Sequence, residues 1–365
     1  MNYRPCMTKT TVFAIFIMLV SIWAYASSPE PKVSNDASQE KGAVQSMAET
    51  EVKATDNQSS EDLITFKGIC DGSAAVKLED ETILVAYDEL NTLFAFATSG
   101  GMPTYRFDLT KMLNLKTSDE IDIEAATVSG ERIWWIGSHS LDKDGKDAPN
   151  RRMLFATNVP SPDLSDMKIV AGPLDLTYVL LTSTEVAKVL TVSARQQPPK
   201  KGGVSIEGLA ESADGGLLVG FRSPLSGANG VTGKALVVNL LPKGDTFEVQ
   251  SVSLLDLGNR GVRDIVNDGT GYMIVAGPVG SGGKFALYAW NGADPQKQTM
   301  SLEGLNAEGI LDLGSHWLIL SDDGKIKRVD YEADDGDRTC DNIRKKNSKG
   351  EAHPNVFFRA TMIPK

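Results

Sequence analysis

Five acidic residues, Asp71, Glu124, Glu207, Asp264 and Glu308, recur at similar points of a repeated pattern, each near the start of a strand-like segment. Carboxylates brought together must protonate, recruit cations or pair with basic groups. An oxygen-rich ring of this kind would suit Ca²⁺ or Mg²⁺, so all five are candidate metal ligands. Arg151, Arg152, Arg222, Arg260 and Arg263 lie in comparable stretches and are candidate holders of an anion through charge-assisted forks. His139, in Gly137-Ser-His-Ser at the end of an apolar run, is the best single acid–base candidate, with Glu124 and Glu207 beside it as catalytic carboxylates. The structural alternative is that the acidic residues accept backbone or arginine hydrogen bonds that tie strands together, and that His139 only caps a strand end. With 3 histidines in the chain, the composition argues against a multi-histidine zinc site.

The elements that must position these groups repeat five times: a small or acidic residue opening a strand, a tight turn, a strongly apolar strand, a loop and a second apolar strand. The turns at positions 80, 130, 215, 269 and 314 are spaced by 50, 85, 54 and 45 residues. Three of these spacings suit a four-stranded propeller blade. The apolar strands Ile83-Leu-Val-Ala, Ile133-Trp-Trp-Ile, Leu217-Leu-Val-Gly, Tyr272-Met-Ile-Val and Trp317-Leu-Ile-Leu are hydrophobic at nearly every position, as strands covered on both faces must be. The fourth strands are weakly marked, for example over 104–109 and 249–254. The pattern predicts an all-β fold, a β-propeller of five four-stranded blades, or six if the long gap hides one. That gap, about 160–203, carries Leu176, Val179, Leu180, Ala187 and Leu190 near helical spacing before Pro198-Pro199, which predicts a short helical insertion. Segments 64–69 and 356–363 are expected to pair and close the last blade, removing exposed sheet edges.

At these residues the sequence resembles the bacterial domain of unknown function family 3616. The matching stretches include Cys70-Asp-Gly-Ser-Ala, Asp122-Ile-Glu-Ala-Ala, Asn150-Arg-Arg-Met-Leu-Phe-Ala-Thr, Pro199-Lys-Lys-Gly-Gly-Val-Ser-Ile-Glu-Gly-Leu-Ala and Arg260-Gly-Val-Arg-Asp-Ile. The resemblance covers most of 66–330. It implies a β-propeller-like domain and no established activity.

Residues 1–26 read as a secretory signal peptide, with Arg4 and Lys9 before the apolar run 12–24 and an Ala24-Tyr-Ala cleavage signal. Residues 27–60 contain no Leu, Ile or aromatic residue and read as a disordered polar spacer, which leaves 61–365 as the propeller domain. The expected location is periplasmic or secreted, with no stable membrane span after cleavage. Cleavage would leave Cys70 and Cys340, which either pair as a disulfide or remain a buried small hydrophobe and a free thiol.

The 365 residues carry 37 Lys+Arg against 48 Asp+Glu, a net charge of −11, which argues against nucleic acid as a partner. No G-x-S-x-G, H-E-x-x-H or C-x-x-C occurs. Three readings of function stay open. The first is an exported propeller binding a small polar or anionic ligand, or a protein partner, at its channel mouth. The second is a hydrolase of phosphoesters or lactones assisted by Ca²⁺ or Mg²⁺. The third is a structural interaction scaffold.

Overall fold

A computed structural model describes residues 63–79, 81–87, 90–326, 339–340 and 353–365. The signal peptide and the spacer expected over 1–60 lie outside these. In chain order, β1 (Leu63–Gly68) precedes blade one, made of β2 (Ala74–Lys77), β3 (Thr82–Tyr87), β4 (Thr92–Ala97) and β5 (Tyr105–Asp108). Blade two is β6 (Ile123–Ser129), β7 (Arg132–Gly137), β8 (Leu154–Asn158) and β9 (Ile169–Leu174). The insertion follows as α1 (Thr177–Leu181) and α2 (Thr184–Val189). Blade three is β10 (Ser205–Glu211), β11 (Leu217–Ser223), β12 (Ala235–Lys243) and β13 (Thr246–Leu255). Blade four is β14 (Gly261–Asn267), β15 (Tyr272–Gly277), β16 (Ala286–Trp290) and β17 (Gln296–Lys297). Blade five joins β18 (Ala307–Asp312) and β19 (His316–Ser321) to β20 (His353–Pro364), with β1 as its outer strand.

All pairings within the blades are antiparallel, and β1 closes the ring by pairing with β20, Phe66 opposite Phe358. The inner strands β2, β6, β10, β14 and β18 neighbour one another around the axis. The long gap between turns therefore holds no sixth blade. It supplies β9, the outer strand of blade two, and then two short helices where the sequence predicts one. Ser183 caps α2, its hydroxyl accepting from the Val186 amide at 3.4 Å. No helix among the described residues is long and apolar enough to cross a membrane.

The second strands show why nearly every residue is apolar. Side chains alternate faces along a strand, and here each face meets a different blade. In β3, Leu84 and Ala86 pack with blade two, while Ile83 and Val85 pack with blade five. In β7, Ile133 and Trp135 face blade one, while Trp134 and Ile136 face blade three and the insertion. In β15, Ile274 and Ala276 face blade three, and Met273 and Val275 face blade five. The core is thus divided into apolar seams between blades. Blades three and four come so close that a Cβ on Gly220 would lie 2.6 Å from a Val262 methyl, so a side chain there would force the blades apart.

Polar side chains staple the seams. Asn91 of blade one donates to Asp119 O at 2.7 Å and accepts from the Ile121 amide at 3.0 Å. Ser129 donates to Glu211 at 2.8 Å, and Asn267 donates to the Glu211 carbonyl at 3.1 Å. At the closure, buried Asp323 accepts from Arg359 Nε at 2.7 Å, and its amide donates to Cys70 O at 3.1 Å. Cys70 and Cys340 are joined as a disulfide, with their Cα atoms 5.6 Å apart.

Candidate functional site

Four inner strands carry the same local irregularity. The ladder skips one residue between Ile123 and Ala125, between Ile206 and Gly208, between Val262 and Asp264, and between Ala307 and Gly309. The skipped residues are Glu124, Glu207, Arg263 and Glu308. A bulge leaves its extra residue outside the ladder and re-aims its side chain. These four side chains form one electrostatic group at one end of the inner strands, joined there by Arg222 from the end of β11.

This register corrects the expectation of five equivalent carboxylates. In blade four the equivalent residue is Arg263, and Asp264 falls one place further, where its neighbours have Ala125, Gly208 and Gly309. There Asp264 is buried in the seam between blades four and five, accepting from the Ile310 amide at 2.9 Å and the Ile265 amide at 2.8 Å. Burial drives its carboxyl well above the usual range despite these two donors. In blade one the same register falls on Ser73, whose hydroxyl donates to Asp71 at 3.1 Å, so Asp71 stands two residues before it.

Glu207 is the hub. Its Oε1 accepts from Arg222 Nη1 at 2.7 Å, and its Oε2 lies 2.9 Å from Arg263 Nε. The second contact is off the line of a hydrogen bond and acts as charge attraction. Arg263 reaches on to Glu308, which also accepts from Asn306 at 3.3 Å. Arg222 Nε donates to Val279 O at 3.0 Å. Arg263 side-chain exposure is 3%, and burial together with the adjacent Arg222 pulls its guanidinium down to about 10, against Glu207, so it stays charged at neutral pH. Burial opposes the charge of Arg222, but Glu207, Glu124 and Asp122 together hold the group above its ordinary value. Glu124 contributes its charge to both arginines.

Above this network lie Lys200, in the turn Pro199–Lys201, and Lys325, beyond β19. Neither makes an ion pair with another described residue. Partial burial, then the charges of Lys325 and Arg222, hold Lys200 below the usual lysine range, with Asp322 drawing the other way. Neither lysine lies on a repeated strand position, so the repeat pattern does not single them out.

The remaining candidates are committed to other partners. Arg151 pairs with Asp122 at 2.9 Å and with Glu120 on the rim of blade two, beside the network, where the Asp122 charge reaches Arg222. Burial raises both carboxyls above the usual range, against Arg151. Arg152 turns the other way, to Asp147 at 2.7 Å and Asp175 at 3.3 Å. Arg260 ties loop carbonyls, donating to Lys284 O at 2.7 Å. No group of three or more His, Cys, Asp or Glu among the described residues is arranged to hold a metal.

His139 is buried, with both ring nitrogens engaged. Nδ1 lies 3.0 Å from Gly137 O, and Nε2 accepts from the Leu176 amide at 3.2 Å. The carbonyl can only accept and the amide only donate, so the proton is on Nδ1 and the ring is neutral. Burial lowers its proton affinity. In the unfolded chain this histidine protonates near pH 6.5, while the folded state resists. Stability from this group is therefore present above about pH 6.5 and is lost as pH falls towards the lowered folded value, by at most ~1.4 kcal/mol per pH unit. Urea titrations between pH 7 and 5 should show a shallower loss for His139→Gln than for the unsubstituted protein; equal slopes would contradict the assignment.

The family described as Protein of unknown function (DUF3616) matches residues 72–155 and 165–316, so the chain belongs to that family. No curated protein sequence matches it. Among solved structures it is similar to the extracellular domain of a proposed one-component system from B. thetaiotaomicron, at 12% identity and TM-score 0.30, over 69% of this chain and 25% of that one. The PQQ-bound aldose sugar dehydrogenase from Streptomyces coelicolor matches at 11% identity and TM-score 0.37, over 82% of this chain and 98% of that one. A gluconolactonase from Xanthomonas campestris matches at 12% identity and TM-score 0.33, over 70% of this chain and 72% of that one. These are likenesses of fold alone.

Proposed function

We propose that this member of a family of unknown function is an exported binding propeller that captures a small anionic ligand, bearing carboxylate or phosphate, at the end of its channel marked by Lys200 and Lys325. The observation carrying the reading is that these two ammonium groups stand against each other and against Arg222 without a committed carboxylate. Like charges that lower one another's proton affinity are relieved by a bound anion. Arg222 and Arg263 are spent on Glu207 and Glu308, so the two lysines carry the positive charge left over. The Cys70–Cys340 disulfide supports an oxidising compartment, and with it export. The hydrolase reading lacks a donor set of three metal ligands among the described residues.

Citrate and inorganic phosphate, titrated calorimetrically into the protein, are the probes. Saturable binding is expected, weakening with added salt and lost in Lys200→Gln/Lys325→Gln. An anion would also raise the lysine proton affinity, so binding should fall as pH rises through the lowered range of Lys200. Binding that survives the double substitution, or no saturable heat with either probe, would overturn the reading.

A further inference from the structure

A second pocket lies between the helical insertion and blade two, away from the channel network. It encloses about 250 Å³. Pockets for drug-sized ligands run to roughly 300–1,000 Å³, and an apolar cavity of about 150 Å³ already holds benzene. One ring or a short chain, plus a polar head, is what this space admits.

Its lining is divided by chemistry. Leu141, Leu180, Leu181, Leu190 and Val204 supply an apolar wall, and Leu180 and Leu190 are themselves buried in the core. The charged groups facing it are Asp147, Arg152, Asp175 and Arg195, with neutral His139 between them. Both carboxylates are committed to Arg152. His139 has already spent its acceptor nitrogen on Leu176 and its donor on Gly137. Arg195, carried on the short turn Ala194–Gln196, makes no ion pair with another described residue. The single uncommitted charge of the pocket is therefore a guanidinium at the end of an apolar wall.

A planar fork of donors matches a carboxylate better than any other small head group. We propose that this pocket is a second ligand site, for an amphiphilic monocarboxylate whose body is one ring or a short alkyl chain, its carboxylate on Arg195 and its body against the leucines. Arg152, an anion-holding candidate by its sequence position, lines this pocket and is paired there with Asp147 and Asp175. The site stands independently of the channel reading.

Phenylacetate is the probe, titrated into the full chain and followed by line broadening of its aromatic NMR signals and by calorimetry. Saturable binding is expected. Arg195→Gln, at an exposed position that leaves the fold intact, should weaken it about tenfold or more, the loss expected for one charge-assisted contact. Phenylacetamide should bind more weakly by a similar factor. Lys200→Gln/Lys325→Gln should leave phenylacetate unaffected, which separates this site from the channel. Circular dichroism and the unfolding midpoint of Arg195→Gln verify that it is folded. No saturable binding, or binding unchanged in folded Arg195→Gln, or binding lost with the two lysines would each overturn the proposal.

Discussion

Glu207→Gln is expected to lower the unfolding free energy by about 3–5 kcal/mol, the cost of leaving a buried charge without its partner. The reason is that one carboxylate serves two guanidinium groups. Arg222 has 10% side-chain exposure and Arg263 has 3%, so neither can turn to water when the carboxylate charge is removed. The amide would accept one hydrogen bond, but its nitrogen would face a donor. Urea unfolding should therefore show a lower midpoint with an unchanged slope. Arg263 keeps Glu308, so the charge that loses its ion pair is Arg222. Removing it as well, in Glu207→Gln/Arg222→Met, should recover part of the loss, because an apolar side chain of similar length suits the dry site better than an unpaired cation. A loss under ~1 kcal/mol for the single substitution would show that water reaches these arginines and that the network does not hold the blades together. A double substitution no better than the single one would place the loss in packing instead of charge.

The second large effect concerns the seam where the chain closes on itself. Cys70 enters blade one and Cys340 precedes β20, so their bond spans 270 residues of sequence. In the chain-entropy account, opening so long a loop costs about 5 kcal/mol, by enlarging the unfolded ensemble. Cys70→Ser/Cys340→Ser should lose roughly 2–5 kcal/mol of stability, the range for native disulfides. Both cysteines are fully buried among Phe66, Val356 and Phe358, so reductant should act on the folded protein slowly and on the unfolded chain at once. Dithiothreitol is thus expected to lower the unfolding midpoint of the original protein to that of the double substitution, and to leave the latter unchanged. A midpoint insensitive to both treatments would mean that β1–β20 pairing and the Asp323–Arg359 link close the ring unaided.

The two effects differ in origin. Glu207 acts within the folded state, where desolvated charges must balance. The disulfide acts chiefly on the unfolded state. Substituted together, the sites share no partner and their losses should add.

Much of the architecture was legible in the chain because it rests on local signals. Gly- and Asp-bearing turns, apolar strands without a polar face and the spacing between them specify meanders whose central strands must be covered on both sides. That requirement alone implies stacked blades, and the unpaired ends 64–69 and 356–363 imply a closing seam. The acidic residues opening the strands also marked the end of the axis where charge accumulates.

Other features were decided only by the tertiary structure. A bulge is a property of two paired strands, and its effect is to shift which residue is re-aimed by one place. From β14 alone, Asp264 looks like the partner of Glu207; pairing with β15 puts Arg263 there and sends the carboxylate into a seam. The adjacent Arg151 and Arg152 likewise diverge, one to the rim and one to the insertion pocket, because the carboxylates that claim them come from different segments. Lys200 and Lys325 meet across more than a hundred residues and belong to no periodic pattern. Local sequence determines which strands form and which faces are dry, since those depend on each segment's own side chains. The partner of each charge depends on register and on loop approach, and these exist only once the blades have closed.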